Sequence, residues 1–353
     1  MQRQRQKIKN LKGEVVFRKK LASQHTTGEM LLPDYFSKDE HDQILAQRIE
    51  TTRLAFEKLS REGVDFSRFV ELGAERGHRS LTLVNYFDSS GIAMDISFDQ
   101  LKTAEHFSRL FNLPKLPLRV CCDANNLPLS SSSIPFLFCY QFLHHFPSLD
   151  HILAQIHRVL ASNSTFFFDE EPVGKMLQLH LYKQPAKEYS KSNLQKGKLL
   201  RWLESFISET ASDEVDHGII ENHAMLLPQW QRALQGFDSL NVHVRTLRHC
   251  KSSVTGHMRP SNFLSYLAGG VIYGGCQMKS LAPSSTCPVE SLLCCPECLS
   301  TKDPRSGTPL ESPLSKGTDC LVCTSCERSY PVVDEIPILL TEDLRKELYP
   351  QFS

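Results

Sequence analysis

The chain has 353 residues, enough for roughly two domains and a substantial buried core. Lysine plus arginine and aspartate plus glutamate number 40 each, so net charge gives no electrostatic drive toward nucleic acid or membrane surfaces. No apolar run approaches the ~20 residues of a membrane span and no signal-peptide core follows Met1, so a soluble, cytoplasmic protein is expected.

Residues 1–37 read as a basic N-terminal arm. In its first twenty residues Arg3, Arg5, Lys7, Lys9, Lys12, Arg18, Lys19 and Lys20 are opposed only by Glu14. A solvated, frayed terminus is the expectation, with an RNA-contacting arm or an organelle-targeting peptide as alternatives. A helix follows from Lys38 to Leu59: Ser37 is its N-cap, Glu40 the capping-box acid, and Ile44, Leu45, Ile49, Leu54, Phe56 and Leu59 its apolar positions.

From Phe69 to Asp169 strands and helices alternate, which predicts an α/β doubly wound, mostly parallel sheet with helices on both faces. The apolar run Phe69-Val70-Glu71-Leu72 breaks into Gly73-Ala74-Glu75-Arg76-Gly77 before a helix starts. Two glycines there let backbone turn tightly beside a ligand, and the helix aims unpaired N–H groups at a carboxylate or phosphate. A second run, Gly91-Ile92-Ala93-Met94, ends in Asp95, where a carboxylate can accept from ribose hydroxyls. A third strand, Leu118–Cys122, leads into Asp123-Ala124, and a fourth, Ile134–Cys139, into Tyr140-Gln141-Phe142-Leu143-His144-His145-Phe146. Helices are predicted near Arg79–Tyr86, Phe98–Phe111 and Leu149–Leu160. Thr165–Phe168 is a buried strand, with Asp169-Glu170-Glu171 at its carboxyl end as substrate contacts or as a solvated strand end.

On these motifs the chain resembles the class I S-adenosylmethionine-dependent methyltransferases, particularly those acting on small molecules, lipids and quinones. The resemblance implies a Rossmann-like seven-stranded sheet and a domain spanning 38–279. It assigns Glu71, Gly73 and Gly77 to the methionine part of S-adenosyl-L-methionine, Asp95 to its ribose, and Asp123 with Ala124 to its adenine. Gln141 is a further contact to cofactor or acceptor. Glu75 stands where the family has glycine, and its carboxylate would crowd the methionine carboxylate unless it points away. His144 and His145 follow the fourth strand and are candidates for a catalytic base with near-neutral pKa. Residues 175–235 are read as a helical insertion that covers the active site, with Lys183, Lys187 and Lys191 on its basic side, and Asn241–Arg248 and Val271–Lys279 as the last two strands.

Cys295-Pro296-Glu297-Cys298 and Cys323-Thr324-Ser325-Cys326 are paired Cys-x-x-Cys knuckles, suited to a structural tetrahedral Zn²⁺. Cys294 and Cys320 lie beside them and compete for ligation. Cys121, Cys122 and Cys139 fall in buried strands and are read as core thiols. After the second knuckle, Tyr330-Pro331 and Ile336-Pro337-Ile338-Leu339-Leu340 resemble the tail of the small zinc-ribbon family whose members activate tRNA, rRNA and protein methyltransferases. That likeness covers residues 291–346 and implies a ribbon fused to its catalytic partner through a linker at 280–290, with no separate activator subunit required.

The function expected is therefore methyl transfer from S-adenosyl-L-methionine to a small-molecule acceptor rather than RNA. Two competing readings stand: an RNA methyltransferase docking through its basic arm and ribbon, and a noncatalytic scaffold with a degenerate cofactor pocket.

Overall fold

The computed structural model describes residues 2–27, 38–176, 181–184, 208–210, 219–220, 222, 225–247, 250–253, 263–279, 287–301 and 307–352. Most of the expected insertion at 175–235 lies outside these residues.

Two long helices, α1 (Gln2–Thr27) and α2 (Lys38–Arg61), precede the sheet. The alternating segment then gives β1 (Arg68–Leu72), α3 (His78–Tyr86), β2 (Ser90–Asp95), α4 (Phe98–Leu110), β3 (Leu118–Cys122), β4 (Ile134–Tyr140), α5 (Leu149–Val159) and β5 (Leu160–Val173). Side-chain hydroxyls start two of these helices: Ser97 accepts from the Gln100 N–H ahead of α4, and Ser148 from the Asp150 N–H ahead of α5. Short strands β6 (Tyr182–Gln184) and β7 (Ser208–Thr210) pair with each other in parallel. The main sheet resumes with β8 (Ser239–Leu247), β9 (Cys250–Ser253) and β10 (Gly270–Met278).

Strand order across the core is β3-β2-β1-β4-β5-β10-β8-β9, with β1 to β5 mutually parallel and β10 antiparallel to both β5 and β8. This is the Rossmann-like methyltransferase arrangement, a mixed sheet whose seven central strands are those expected. Alternation along each strand sorts residues between two cores. Phe69, Phe136, Phe138 and Phe167 face α2 and α3, meeting Phe56 edge-on at 5.3 Å from Phe138. Val70, Leu72, Leu137, Phe166 and Phe168 fill the other face with Ile152 and Ile156 of α5 and with Trp230, whose ring stacks on Phe168. The Trp230 indole N–H donates to the Pro172 carbonyl at 3.2 Å, satisfying its one polar atom.

The cysteine-rich C-terminus does not hang from the sheet on a tether. Strands β11 (Leu314–Lys316), β12 (Cys320–Cys323) and β13 (Ser329–Val333) form an antiparallel meander, and β14 (Ile336–Leu339) pairs with β13 on one side and, in parallel, with β3 on the other. The result is one continuous sheet of twelve strands. Ile338 lies opposite Cys121 and Leu339 opposite Cys122, so the thiols expected in the core are covered by the ribbon's last strand.

Further bonds close the seam. Cys294 N–H donates to the Pro128 carbonyl at 2.9 Å, and the Asn126 amide to the Pro296 carbonyl at 2.8 Å. Arg158 of α5 donates to the Leu127 and Leu129 carbonyls at 2.7 and 2.6 Å, bracing the loop that receives the ribbon. Residues 287–292, expected in part as linker, instead contribute buried Val289 and Leu292 to the main core. The final helix, Glu342–Leu348, packs Leu344 and Leu348 against Phe98, Leu101 and Val15.

A sheet shared in this way should unfold as a unit. Ile338→Ala, which removes a fully buried side chain at the seam, should cost about 2–5 kcal/mol and lower a single melting transition seen by calorimetry. Two separated transitions, of which only the smaller shifts, would show that the seam does not couple the parts.

Candidate functional site

At the carboxyl end of β1 the chain alternates into left-handed backbone: φ is 65° at Gly73, 48° at Glu75 and 65° at Gly77. Glycine adopts this region freely, whereas at Glu75 the conformation is strained and is held by partners on both sides. Its N–H donates to Asp95 Oδ2 at 2.8 Å, so the loop after β1 is tied to the acid at the end of β2. A Cβ on Gly73 would collide with the Phe142 ring, so the glycine allows the turn after β4 to close against the same loop. Glu71, buried beneath, receives the Ser80 N–H at 3.0 Å and the Ser80 hydroxyl at 2.5 Å. Burial pushes its carboxyl up to about 7, against the opposing pull of Arg79 and the Ser80 bonds.

The basic arm is not a frayed terminus. It is the helix α1, and Val15, Phe17 and Ala22 are buried. Arg18 forms an ion pair with Glu75, and its carbonyl accepts from the Gln100 amide at 2.9 Å, which lays α1 across the glycine turn. Burial, the largest single influence, would raise the Glu75 carboxyl, but Arg18, Arg76, Arg79 and Arg48 together outweigh it and hold it down at about 2. The Glu75 carboxylate is thus drawn to α1. Composition alone hid this, because the same cationic residues that suggest a solvated face include the one that neutralises the intruding acid. Glu14, one turn before Arg18, is pushed up to about 7 by burial.

Asp95 accepts from Ser97 N–H at 2.8 Å through Oδ1 and from Glu75 N–H through Oδ2, and burial raises its pKa. Asp123, buried at the end of β3, caps a short turn through the Asn125 N–H at 2.9 Å, and Ala124 is the first residue of that turn. Gln141 is exposed, with φ 48° and its N–H on the Asp169 carbonyl at 3.2 Å.

The histidine pair is anchored by a residue that the sequence reading placed elsewhere. Glu171, expected as a substrate contact or solvated acid, is fully buried, because β5 continues through Val173. Its carboxylate accepts the N–H groups of Phe142, Leu143 and His144 at 2.7, 2.9 and 3.2 Å and meets His144 Nδ1 at 2.9 Å. His145 Nδ1 lies 3.0 Å from the Ile220 carbonyl, which makes Nδ1 the protonated nitrogen and leaves a lone pair on Nε2. Burial, with His144 and Arg18 nearby, lowers its pKa to about 3, well below the near-neutral value expected of it as a base. Beside them Tyr140 lies under the Arg79 guanidinium, 4.0 Å from the ring centroid, and burial raises Asp169 to about 6.

The structure also gathers Cys295, Cys298, Cys323 and Cys326, whose Sγ atoms all lie within 4.8 Å of one another. Two of the separations are 3.6 and 3.7 Å. A tetrahedron with Zn–S bonds of about 2.3 Å has edges of about 3.8 Å, so the four thiols fit zinc. N–H groups of Ser325 and Cys326 point at the Cys323 sulfur, each at 3.4 Å, and lower its pKa to about 7 against the effect of burial. Cys294 instead faces the Ser130 hydroxyl at 3.4 Å, and Cys320 packs beside Gly317; neither joins the cluster. No disulfide occurs among the described residues.

Residues 70–168 match the family model described as a methyltransferase domain, from β1 into β5 and under a third of the chain. That segment is a methyltransferase domain of class I strand order. Among solved structures, a candidate O-methyltransferase from Nostoc punctiforme PCC 73102 is 10% identical, with 65% of this chain and 56% of that one covered and a TM-score of 0.41. Phosphoethanolamine N-methyltransferase 2 of Haemonchus contortus, in complex with S-adenosyl-L-methionine, is 13% identical over 65% of this chain and 53% of that one, at a TM-score of 0.43. Geranyl diphosphate C-methyltransferase of Streptomyces coelicolor A3(2), with S-adenosyl-L-homocysteine bound, is 11% identical over 70% of this chain and 86% of that one, at 0.42. The chain thus spans little more than half the length of the first two. Likenesses at this level say nothing of the acceptor. No curated protein sequence matches the chain.

Two outcomes follow from this geometry. Cys298→Ser or Cys326→Ser should abolish stoichiometric zinc and expose the C-terminal segment to protease, whereas Cys294→Ser and Cys320→Ser should keep the metal. A metal-free wild type with a protease-resistant tail would overturn the zinc assignment. For His145, ring resonances should stay those of a neutral Nδ1–H imidazole from about pH 5 to pH 8, because its pKa lies below that window. A midpoint near 6.5 in the NMR titration would rule out the buried, carbonyl-bound state.

Proposed function

We propose that this protein is an S-adenosylmethionine-dependent methyltransferase acting on a small-molecule acceptor, with a structural zinc ion in its C-terminal ribbon. The observation that carries the reading is the bonded set of Gly73–Gly77 and Asp95 at the carboxyl edge of a sheet of methyltransferase order. Each Asp95 oxygen accepts one backbone N–H and retains a lone pair for a ribose hydroxyl. On this reading Glu71 and the turn amides hold the methionine end, and Asp123 with Ala124 the adenine.

When bound, S-adenosylmethionine supplies an already electrophilic methyl group, so the protein's task is alignment and proton removal. His145 Nε2 carries a lone pair, made weakly basic by burial, and Glu171 fixes the turn carrying both histidines. The small-molecule reading is supported by the fate of the basic arm. Arg18 is committed to Glu75, which takes one cation of the arm from any RNA-facing surface. The same Arg18 pair counts against a degenerate pocket, since it draws aside the carboxylate that raised that reading. The ribbon, already paired to β3, would serve in place of a separate activator subunit.

Asp95→Ala should weaken S-adenosylmethionine binding by about 1–3 kcal/mol with the fold intact. Unchanged affinity in a folded variant, read by calorimetry, would reject the ribose assignment. Wild-type protein that binds no S-adenosylmethionine would reject the function.

A further inference from the structure

The turn that carries Asp95 is held from outside the sheet. Ile96, Ser97 and Phe98 join β2 to α4, and Ser97 N–H is one of the two donors that orient the Asp95 carboxylate. On either side of Ser97 the backbone is bound by one hydroxyl: Tyr349 accepts from the Phe98 N–H at 2.9 Å and donates to the Ile96 carbonyl at 2.7 Å. Tyr349 is buried, although only four residues of the sequence follow it. Its ring lies 6.4 Å from Phe98, and Phe352 completes the cluster at 5.1 Å from Phe98 and 6.0 Å from Tyr349. Cys121 Sγ adds a weaker contact to the Ile96 carbonyl at 3.4 Å. Tyr349 and Phe352 stand beyond residue 346, where the ribbon likeness ends.

We propose that Tyr349 is a positioning residue for cofactor binding, whose hydroxyl bridges Ile96 and Phe98 and thereby fixes the Asp95 carboxylate for the ribose hydroxyls. This rests on the methyltransferase reading above. The Phe98 N–H begins α4 and has no partner within the helix, and the Ile96 carbonyl is on the strand-to-helix turn. Without the hydroxyl both groups seek other partners, and Ser97 between them loses the constraint that aims its N–H at Asp95. The loss falls on the ribose hydroxyls, because the carboxylate that reads them is what moves.

The test uses the full-length, zinc-loaded protein and two probes in calorimetry: S-adenosylhomocysteine and its 2′,3′-dideoxyribose analogue. Tyr349→Phe should weaken S-adenosylhomocysteine about five-fold while leaving the analogue within about two-fold, so that discrimination between them falls. Phe352→Ala, which removes neighbouring packing and keeps the hydroxyl, should lower the melting temperature and retain discrimination. Equal weakening of both probes by Tyr349→Phe, no weakening at all, or loss of discrimination in Phe352→Ala would each overturn the proposal. Wild type that binds neither probe would instead overturn the function on which it rests.

Discussion

An unpaired strand edge is a row of backbone donors and acceptors that must find partners, and in this protein the decisive one is the outer edge of β3. β14 takes it. That parallel pairing turns a cysteine-rich terminal segment into part of the sheet, seals Cys121 and Cys122 under Ile338 and Leu339, and brings the last helix against α4. The site residues on β1, β2 and β3 share that frame, since Asp95 lies opposite Cys121 in the β2–β3 register and Cys121 lies opposite Ile338. The four-cysteine cluster and the proposed cofactor corner thus sit on one ladder.

Charge is handled locally. The chain is neutral overall, yet the turn after β1 gathers Glu71, Glu75 and Asp95 around backbone N–H groups, with Arg18, Arg76 and Arg79 nearby. An acid at a left-handed position of such a turn would be poorly tolerated in isolation. Here the cation that answers it comes from a helix 57 residues earlier in sequence. A local departure from the usual glycine and an apparently featureless basic arm are two halves of one contact.

Much of the frame was legible because strands and helices alternate with different hydrophobic periods. The helices from α2 to α5 begin and end within about two residues of where the pattern put them, since each is bounded by a serine cap, a glycine or a strand. Gly73, Glu75 and Asp95 were also legible as a cluster, because the second strand ends a short crossover after the turn. What the pattern could not reveal are contacts between distant segments. Glu171 reads as one of three acids after a strand, and only the length of β5 shows that it is buried under the 142–144 turn. Arg18 reads as one of many cations. The β14–β3 pairing leaves no trace in either strand, because an apolar run suits a sheet interior as well as a ribbon core.

The order of these elements along the chain also sets the order of their making. β3 leaves the ribosome more than two hundred residues before β14, its permanent neighbour. At ordinary elongation rates that interval is roughly 10 to 40 seconds. Throughout it the nascent sheet carries an open parallel edge flanked by apolar Val120 and reduced Cys121 and Cys122. The edge is therefore closed only once β14 has been made, and until then it is the sheet's most open route to misassociation.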